Sequence, residues 1–486
     1  MPVQKNAHKS GRFAPLRRDK CHARRCDRAA NALTIVSPGA LTERLSLLRK
    51  NKIIAAATSL WLIVAVATAC RFGYAYEQVR GTPADALASV SFAQEAGNIG
   101  MALATGKGFS SPTRAGTGAT AWLAPVYPLI VAGIFRIFGI FTPHAFYAAA
   151  ALNLLFSAAT CVPIYFATKR IASPAAASLA AWMWALFPNA IVIPYQWIWD
   201  TALSALLAAT ILWATLAIAS SRRTRGWYAY GFLWGFSLLT NPSLGAVLPF
   251  LFGWLAWRRW REDRARGSFV NPALALGVAF LCCVPWTVRN YVQFHRLIPL
   301  RSNFAFELWL GNNRVFDDRS PDVNARVTPY EESRLYARLG ETAFMRKKWD
   351  LATEFIGAHQ RLELRLTRWR FLSFWLGSFR PLQDFSGAEP WLQAVLVLSF
   401  LTAIGAAAGI VILFVRRNPS AFPASAFIVA FPLVYYVTHA SLRYRHPIDP
   451  IVLVLTSVAL TGGRRKVEGS VLAGQPEIRV EAERGA

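Results

Sequence analysis

Residues 391–415 read WLQAVLVLSFLTAIGAAAGIVILFV, and Arg416 and Arg417 follow directly. The stretch carries no charge and is longer than the roughly 20 residues that a helix needs to cross a ~30 Å hydrocarbon layer. Lys and Arg next to the end of a span are typical of its cytoplasmic side. This stretch therefore predicts a transmembrane helix together with its orientation.

The composition extends this prediction to the whole chain. Of 486 residues, 54% are hydrophobic and 16% charged, with a mean hydropathy of +0.31, which leaves too little polar surface for a soluble body of that size. The net charge of +27 comes from 53 Lys and Arg against 26 Asp and Glu. Because the basic residues fall in short runs between apolar stretches, they indicate membrane topology and argue against nucleic acid as a partner.

The six cysteines are too scattered for a disulfide framework. Cys21 and Cys26 lie in polar sequence, and with His22 they still lack a fourth zinc ligand. No zinc site is predicted there.

Ten apolar runs are predicted to span the bilayer. They fall near 53–70, 145–167, 174–195, 201–220, 227–240, 243–257, 272–287, 391–415, 421–439 and 447–461. Starting from a cytoplasmic N-terminus, every predicted inner loop then holds a basic group: Lys169-Arg170, Arg222 with Arg223 and Arg225, Arg258 to Arg266, Arg416-Arg417, and Arg464-Arg465-Lys466. This alternation follows the positive-inside rule and puts both termini in the cytoplasm.

The alternation holds only if the apolar stretch from Ala124 to Ile140 does not cross the bilayer. Pro125 and Pro128 at its start and Arg136 within it favour a helix in the outer interface. The fold class is thus an all-α polytopic membrane protein with about ten transmembrane helices, one interfacial helix and a small, mainly helical outer subdomain.

Five regions are predicted. They are a disordered basic cytoplasmic tail (1–51), an N-terminal transmembrane module (52–287) with a first outer loop (71–143), an outer, periplasmic subdomain (288–389), C-terminal transmembrane helices (390–461) and a cytoplasmic tail (462–486). In the outer subdomain, Thr328-Pro329-Tyr330-Glu331 is a capping box that opens a helix. A second helix is predicted through Leu351 to Phe355.

Four outer clusters hold the residues suited to chemistry, and no soluble-enzyme motif is present. Glu95 opens a short helix, where a catalytic role and a solvated helix end are both open. Asp200 follows Trp197-Ile198-Trp199, and its simplest interpretation is an N-cap of the next span. The third cluster runs from Pro285 to Asn313. The fourth, Leu442 to Pro447, puts arginines on the outer side against the charge bias, where a guanidinium suits a phosphate.

Several motifs in order resemble a known family, a bacterial branch of the GT-C glycosyltransferases, a superfamily that includes protein O-mannosyltransferases and lipid A aminoarabinose transferases. The motifs are Glu95 with Leu103-Ala104-x-Gly106-x-Gly108-Phe109-Ser110-Ser111-Pro112, Thr117-Gly118-x-Thr120-Ala121-Trp122-Leu123-x-Pro125-Val126-Tyr127-Pro128, Pro285-Trp286-Thr287-Val288-Arg289-Asn290, Arg301-Ser302-Asn303, and Glu307-Leu308-Trp309-Leu310-Gly311-Asn312-Asn313. The resemblance covers residues 53 to 461.

The resemblance implies a GT-C-like enzyme of the bacterial inner membrane with a periplasmic active site. Its donor would be a sugar on a polyprenyl phosphate, and its acceptor a lipid, glycan or protein hydroxyl. The predicted residues are Glu95 as catalytic, Arg443, Arg445 and Arg289 as ligands of the donor phosphate, and Tyr127, Asp200, Asn290, Arg301, Glu307 and Asn312 as substrate-binding. Many relatives have an Asp-Glu pair where this chain has Gln94-Glu95. No cofactor is therefore assigned, and a divalent metal stays an alternative.

The physical expectation is a single displacement that inverts the anomeric carbon, with Glu95 taking the acceptor proton and arginines stabilising the phosphate leaving group. Two other classes remain open. A lipid-linked-sugar transporter or flippase would also be polytopic, although it would carry polar sites at mid-membrane. A non-catalytic relative would bind the polyprenyl lipid only.

Overall fold

The computed structural model describes residues 59–81, 92, 94–113, 116–221, 223–263, 269–313, 329–377 and 390–463. The predicted tails, and with them Cys21 and Cys26, lie outside these described residues, as do Thr328 of the capping box and residues 53–58 of the first predicted span. Within the described part, the chain forms helices and isolated bridges but no strand. The all-α prediction is confirmed for these residues.

The helices of the described residues are numbered in chain order. They are α1 (Leu60–Gly81), α2 (Gln94–Ala104), α3 (Val126–Phe138), α4 (Pro143–Ala159), α5 (Cys161–Ile171), α6 (Pro174–Leu186), α7 (Pro188–Gln196), α8 (Thr201–Ile218), α9 (Thr224–Thr240), α10 (Leu248–Asp263), α11 (Val270–Phe294), α12 (Phe304–Gly311), α13 (Pro329–Leu339), α14 (Glu341–Ala358), α15 (Gln360–Leu376), α16 (Pro390–Val415), α17 (Ala421–Ala430), α18 (Leu433–Val437), α19 (Leu442–Arg445) and α20 (Asp449–Thr461).

Four segments of the described residues are long and apolar enough to cross a membrane: Pro143–Ile171, Thr201–Ile218, Val270–Phe294 and Gln393–Val415. The pair α6 and α7, bent by 43°, is a fifth if it forms one span. The chain is thus a multi-pass membrane protein. The length and composition of the described helices thus identify four or five spans, fewer than the ten predicted, and do not exclude further ones.

The first helix differs from the prediction at its end. The first outer loop was expected to begin at Arg71, but α1 continues to Gly81 and buries Arg71 completely. The Arg71 guanidinium donates to the Ser157 hydroxyl (2.9 Å) and to the carbonyls of Trp184 (3.1 Å) and Ala185 (3.0 Å). Because Pro188 has no N–H, the helical acceptor at Trp184 loses its usual donor. Arg71 therefore supplies hydrogen bonds where α6 breaks.

The helix predicted in the interface is present as α3, and α2 packs extensively on it. Gly100 on α2 lies directly against Val131 on α3. α3 has 13 residues, which at 1.5 Å per residue gives about 20 Å, less than the ~30 Å of a hydrocarbon layer. Its length therefore agrees with a helix that does not cross.

Both helices predicted for residues 288–389 are present, as α13 and α14, and a third, α15, follows. Trp122, from the loop between α2 and α3, packs among Phe306, Tyr336 and Phe344. An aromatic cluster thus joins this helical region to the loop before α3.

Close packing of α16 on α20 depends on two glycines. A Cβ at Gly405 would meet the Thr456 side chain, and one at Gly409 would meet the Leu455 carbonyl oxygen well inside van der Waals contact. Small residues let membrane helices approach closely in this way.

We expect Gly409→Ala to lower the free energy of unfolding by about 1–3 kcal/mol, because the added methyl group must push α16 away from the α20 backbone. Thermal unfolding of purified protein measures the change. Gly277→Ala is the matched control, since nothing lies within 4 Å of a Cβ there. Equal melting curves for the two variants would contradict the proposed role of Gly409 in packing.

Candidate active site

Glu95 lies in the first turn of α2, and its side chain is partly buried. Two contacts fix the position of this helix. Phe92 forms a parallel bridge with Ile198, and the Asn98 amide donates to the Pro112 carbonyl (3.1 Å). The bridge ties the start of α2 to the segment that leads into α8, so Glu95 and Asp200 come to the same region.

Asp200 precedes α8 but does not cap it through its side chain. It lies at the N-cap position with helical φ and ψ, and its carboxylate accepts from the Ser204 hydroxyl (3.1 Å) instead of a backbone N–H. The interpretation of Asp200 as a side-chain N-cap is therefore wrong. Burial raises its pKa to about 6, while Arg301, Ser204 and Arg443 act in the opposite direction.

Glu307 lies on α12, where the Asn303 amide donates to its carboxylate (2.8 Å) and the His439 imidazole is 3.6 Å away. Burial raises the pKa of Glu307, and Arg301 and Arg443 oppose the shift. Burial likewise raises the pKa of Glu95, with Glu307 adding to the shift and Arg443 opposing it. The carboxyl groups of Glu95, Asp200 and Glu307, here called the acidic cluster, thus share the field of one arginine, Arg443.

Arg443 is held by aromatic rings. Its guanidinium carbon lies 4.6 Å from the centre of the Trp197 ring, 4.8 Å from Trp199 and 4.7 Å from Tyr444, to whose hydroxyl it donates (2.7 Å). Such cation–π contacts fix a guanidinium without neutralising it. Although burial disfavours the charged form, Tyr444, Glu95 and Glu307 together raise the pKa of Arg443. The site therefore keeps a permanent cation among its carboxylates.

Two further predicted residues lie at this cluster. Arg301 donates to the Ser243 hydroxyl (3.4 Å) and acts on both Asp200 and Glu307. Tyr127 is buried and donates to the Asn153 side-chain oxygen (3.1 Å); burial raises the pKa of this phenol, and the charge of Asp200 adds to the shift. The fold thus brings together residues that are far apart in the sequence.

Arg289 lies apart from the acidic cluster, contrary to its predicted role. It donates to the carbonyls of Thr120 (2.6 Å) and Phe109 (2.7 Å), and its guanidinium lies over the Trp286 ring. Its hydrogen bonds are made to the loop between α2 and α3. In this structure Arg289 therefore holds this loop.

Arg445, Asn290 and Asn312 also differ from their predicted roles, because all three are fully buried. Arg445 donates to Asp449 (2.7 Å) and to the carbonyls of Trp375 and Ser399. The Asn290 amide donates to the Ile298 carbonyl, and the Asn312 amide to the carbonyls of Leu308 and Val437. These side chains hold backbone segments together and present no face to a substrate. Of the two arginines between which the sequence could not choose, Arg443 faces the acidic cluster.

Two features of the site were not predicted from the sequence. Glu341, at the start of α14, accepts hydrogen bonds from the Thr120 hydroxyl, the Ala121 N–H (2.8 Å) and the Tyr336 hydroxyl (2.7 Å). His439 lies between Glu307 and the Tyr444 hydroxyl, 2.7 Å from the latter. Glu341 lies one residue beyond Gly340, within the predicted helical pattern, and nothing in the sequence marks His439.

A divalent metal is an alternative that the sequence leaves open, and the described residues contain no set of side chains that could bind one. No three His, Cys, Asp or Glu side chains there lie close enough together to hold a metal ion.

Comparison with known proteins gives one family. The protein-family model described as dolichyl-phosphate-mannose-protein mannosyltransferase matches residues 123–288, less than half of the chain. No protein of curated function matches the chain in sequence.

Solved structures with a similar arrangement include two of an Archaeoglobus fulgidus oligosaccharyltransferase. One is AglB in complex with an inhibitory peptide and a dolichol-phosphate: 14% identity, 76% of this chain, 45% of that chain and a TM-score of 0.45. The other is the apo form: 12% identity, 83% of this chain, 50% of that chain and a TM-score of 0.46. This chain therefore covers half or less of the chains it is compared with.

The matched segment includes Tyr127 and Asp200 of the site and ends within the Pro285–Asn290 motif. By its motifs the chain resembles the GT-C superfamily of glycosyltransferases, and the family match over residues 123–288 agrees with that resemblance.

Proposed function

We propose that the protein is a membrane glycosyltransferase that moves a sugar from a polyprenyl-phosphate donor to a hydroxyl acceptor at the outer face of the membrane. The observation that carries this proposal is that the charge of Arg443 acts on all three of Glu95, Asp200 and Glu307. Sugar transfer from a phosphate needs groups of both charges. Carboxylates accept the acceptor proton and stabilise the positive charge that develops on the sugar, and a cation stabilises the negative charge of the leaving phosphate.

Glu95 is the proposed general base. An acceptor hydroxyl is a weak nucleophile, and a positioned carboxylate that takes its proton contributes typically ~10²–10⁴-fold to the rate. Burial raises the pKa of Glu95, which strengthens it as a base while Arg443 favours its charged form. The proton moves from the acceptor oxygen to the Glu95 carboxylate as that oxygen bonds to the anomeric carbon.

The bond from the anomeric carbon to the phosphate oxygen breaks as the new bond forms, so negative charge grows on the phosphate. Arg443 is the proposed phosphate ligand, and Arg301 supports it. Positive charge develops on the sugar ring in such reactions, where Asp200 and Glu307 stabilise it. Since a single displacement needs no covalent nucleophile, we propose inversion at the anomeric carbon.

Transfer from a radiolabelled polyprenyl-phosphate sugar to endogenous acceptors, in native membrane vesicles from cells that overproduce the protein, tests this proposal. We expect label in a lipid, glycan or protein product and release of polyprenyl phosphate. Movement of the intact donor across the bilayer without transfer would instead identify a transporter. Saturable donor binding with neither result would identify a lipid-binding relative.

We further propose a location in the bacterial inner membrane, with both termini cytoplasmic and residues 82–142 wholly on the periplasmic side. The shortness of α3 supports this topology. In a cysteine-free background, single cysteines at exposed Thr105 and at exposed His144 are expected to react with an impermeant maleimide from the same, outer side. If the residue 144 position reacts only from the cytoplasm, α3 crosses the membrane and the topology is wrong.

A further inference from the structure

A series of polar contacts leads from the acidic cluster into the segment between α18 and α19. The His439 Nε2 atom lies 3.6 Å from the Glu307 carboxylate and 2.7 Å from the Tyr444 hydroxyl oxygen. The same oxygen accepts a hydrogen bond of 2.7 Å from Arg443. Tyr444 is half-buried, and its ring stacks on Tyr435 with 5.0 Å between centres.

The backbone around His439 is held in place by α12. The Asn312 amide donates to the Val437 carbonyl (2.9 Å), and Gly311 lies so close to the Thr438 carbonyl that a Cβ there would overlap it. His439 therefore reaches Glu307 and Tyr444 from a fixed position.

The direction of the hydrogen bonds depends on the proton at His439. A phenol has one hydrogen to donate and can accept two hydrogen bonds. When His439 is neutral with its hydrogen on Nδ1, Nε2 is an acceptor and the Tyr444 hydroxyl donates its hydrogen to it. When Nε2 carries a proton, His439 and Arg443 both donate to the Tyr444 oxygen, and the hydroxyl hydrogen turns to a third acceptor.

The surroundings of His439 supply charges of both signs. The titratable and charged groups on the elements around this segment are Glu307 on α12, Arg301 before it, Glu95 on α2, Glu363 and Arg370 on α15, and Arg443 and Tyr444 on α19. Of these, Glu307 approaches the imidazole most directly, and Arg370 is paired with Glu363 (2.7 Å). A carboxylate beside an imidazole favours its protonated form.

We propose that the Tyr444 hydroxyl is a second ligand of the donor phosphate beside Arg443, and that protonation of His439 directs its hydrogen to that phosphate. This inference rests on the proposed function, and it names Tyr444 as a binding residue and His439 as a positioning residue. A phosphodiester oxygen is the acceptor that suits this place, because a phosphate bound by Arg443, as proposed above, would lie next to the Tyr444 oxygen to which Arg443 donates.

Binding of a polyprenyl methyl phosphodiester to the full-length protein in detergent tests the proposal without turnover. This probe keeps a single negative charge between pH 5.5 and 8, so only the protein titrates. Tyr444→Phe keeps the ring and its stacking but removes the hydroxyl. We expect this substitution to weaken binding about ten- to a hundredfold at pH 5.5, which corresponds to the loss of a hydrogen bond to a charged group. At pH 8, where His439 is expected to be neutral, the loss should be no more than about twofold.

The ratio of the two losses is the decisive quantity, because titration of the carboxylates affects wild type and variant alike. In a His439→Gln background, the loss caused by Tyr444→Phe should no longer depend on pH. Tyr436→Phe is the control, since the Tyr436 hydroxyl accepts from Trp375 (2.7 Å), away from the acidic cluster, and its affinity should equal that of wild type.

Equal losses at the two pH values, or no loss at either, would overturn the proposal while leaving the proposed function standing. If wild type does not bind the probe at either pH, the proposed function and this inference fail together. A melting temperature for Tyr444→Phe equal to that of wild type is expected; a loss of binding that follows unfolding would count against the hydroxyl as a ligand.

Discussion

Glu95→Gln is expected to lower turnover at saturating donor by about 10²–10⁴-fold, the contribution of a positioned general base, without lowering the melting temperature. The substitution keeps the size of the side chain but removes its basicity. Because the charge of Glu307 raises the pKa of Glu95, loss of the Glu95 charge relieves repulsion between the two. A residue that only stabilised the end of α2 would show the opposite pattern.

The stability half of this prediction follows from the direction of the pKa shift. The folded protein holds the Glu95 proton to higher pH than the unfolded chain does, so folded protein binds more protons in the window above the ordinary glutamate pKa of about 4.3. Stability therefore falls as pH rises through that window. At neutral pH the ionised Glu95 is a cost to folding, and Gln removes it.

Turnover and thermal unfolding of the same preparation measure both effects. Glu77→Gln is a matched control, since Glu77 is exposed on α1 and, among the described residues, forms an ion pair with exposed Arg80. Near-normal turnover in Glu95→Gln would mean that Glu95 is not the general base, and Asp200 would then be the next candidate. Lost turnover with a collapsed melting temperature would make Glu95 structural.

The acid limb of the wild-type rate profile provides a separate prediction. A base must be deprotonated, so activity rises with pH through the raised pKa of Glu95, above the ordinary range of a glutamate. Because the charge of Glu307 adds to that shift, Glu307→Gln should move the acid limb to lower pH in whatever activity remains. If the acid limb of the Glu307→Gln profile lies at the same pH as that of wild type, Glu95 is not the titrating base.

Arg443→Gln and Arg445→Gln are expected to have different defects, although the residues lie only two positions apart: the first should lose donor binding and the second should lose stability. Arg445 is fully buried in an ion pair with Asp449, and removing one partner of a buried pair costs about 3–5 kcal/mol. Arg445→Gln should therefore give little folded protein. Arg443 is held by rings at the acidic cluster, so Arg443→Gln should fold and lose donor binding.

Yield and melting temperature in detergent, with donor saturation for the folded variant, separate these outcomes. Arg443→Lys should recover binding only in part, because an ammonium lacks the planar fork and stacks less well on Trp197 and Trp199. Wild-type donor saturation in Arg443→Gln would exclude Arg443 as the phosphate ligand. A folded Arg445→Gln variant with defective donor binding would reverse the assignments.

The residue types that the site needs could be predicted from the sequence, but which individual residues form the site could not. Glu95, Asp200, Glu307 and Arg443 were predicted because charges beside apolar runs are costly and few. Arg445 carries the same signal and is a buried structural residue instead. A side chain's type does not reveal whether its hydrogen bonds go to its own backbone or to a ligand.

The sequence by itself determined that this is a helical membrane protein, because apolar length and basic flanks depend on composition along the chain and not on contacts. It also determined which motifs could supply acids and arginines. Only the tertiary structure decided that Arg71 supports a broken helix, that Arg289 holds a loop and that His439 joins Glu307 to Tyr444. These outcomes depend on distances between residues far apart in the chain, which are fixed by how the helices pack.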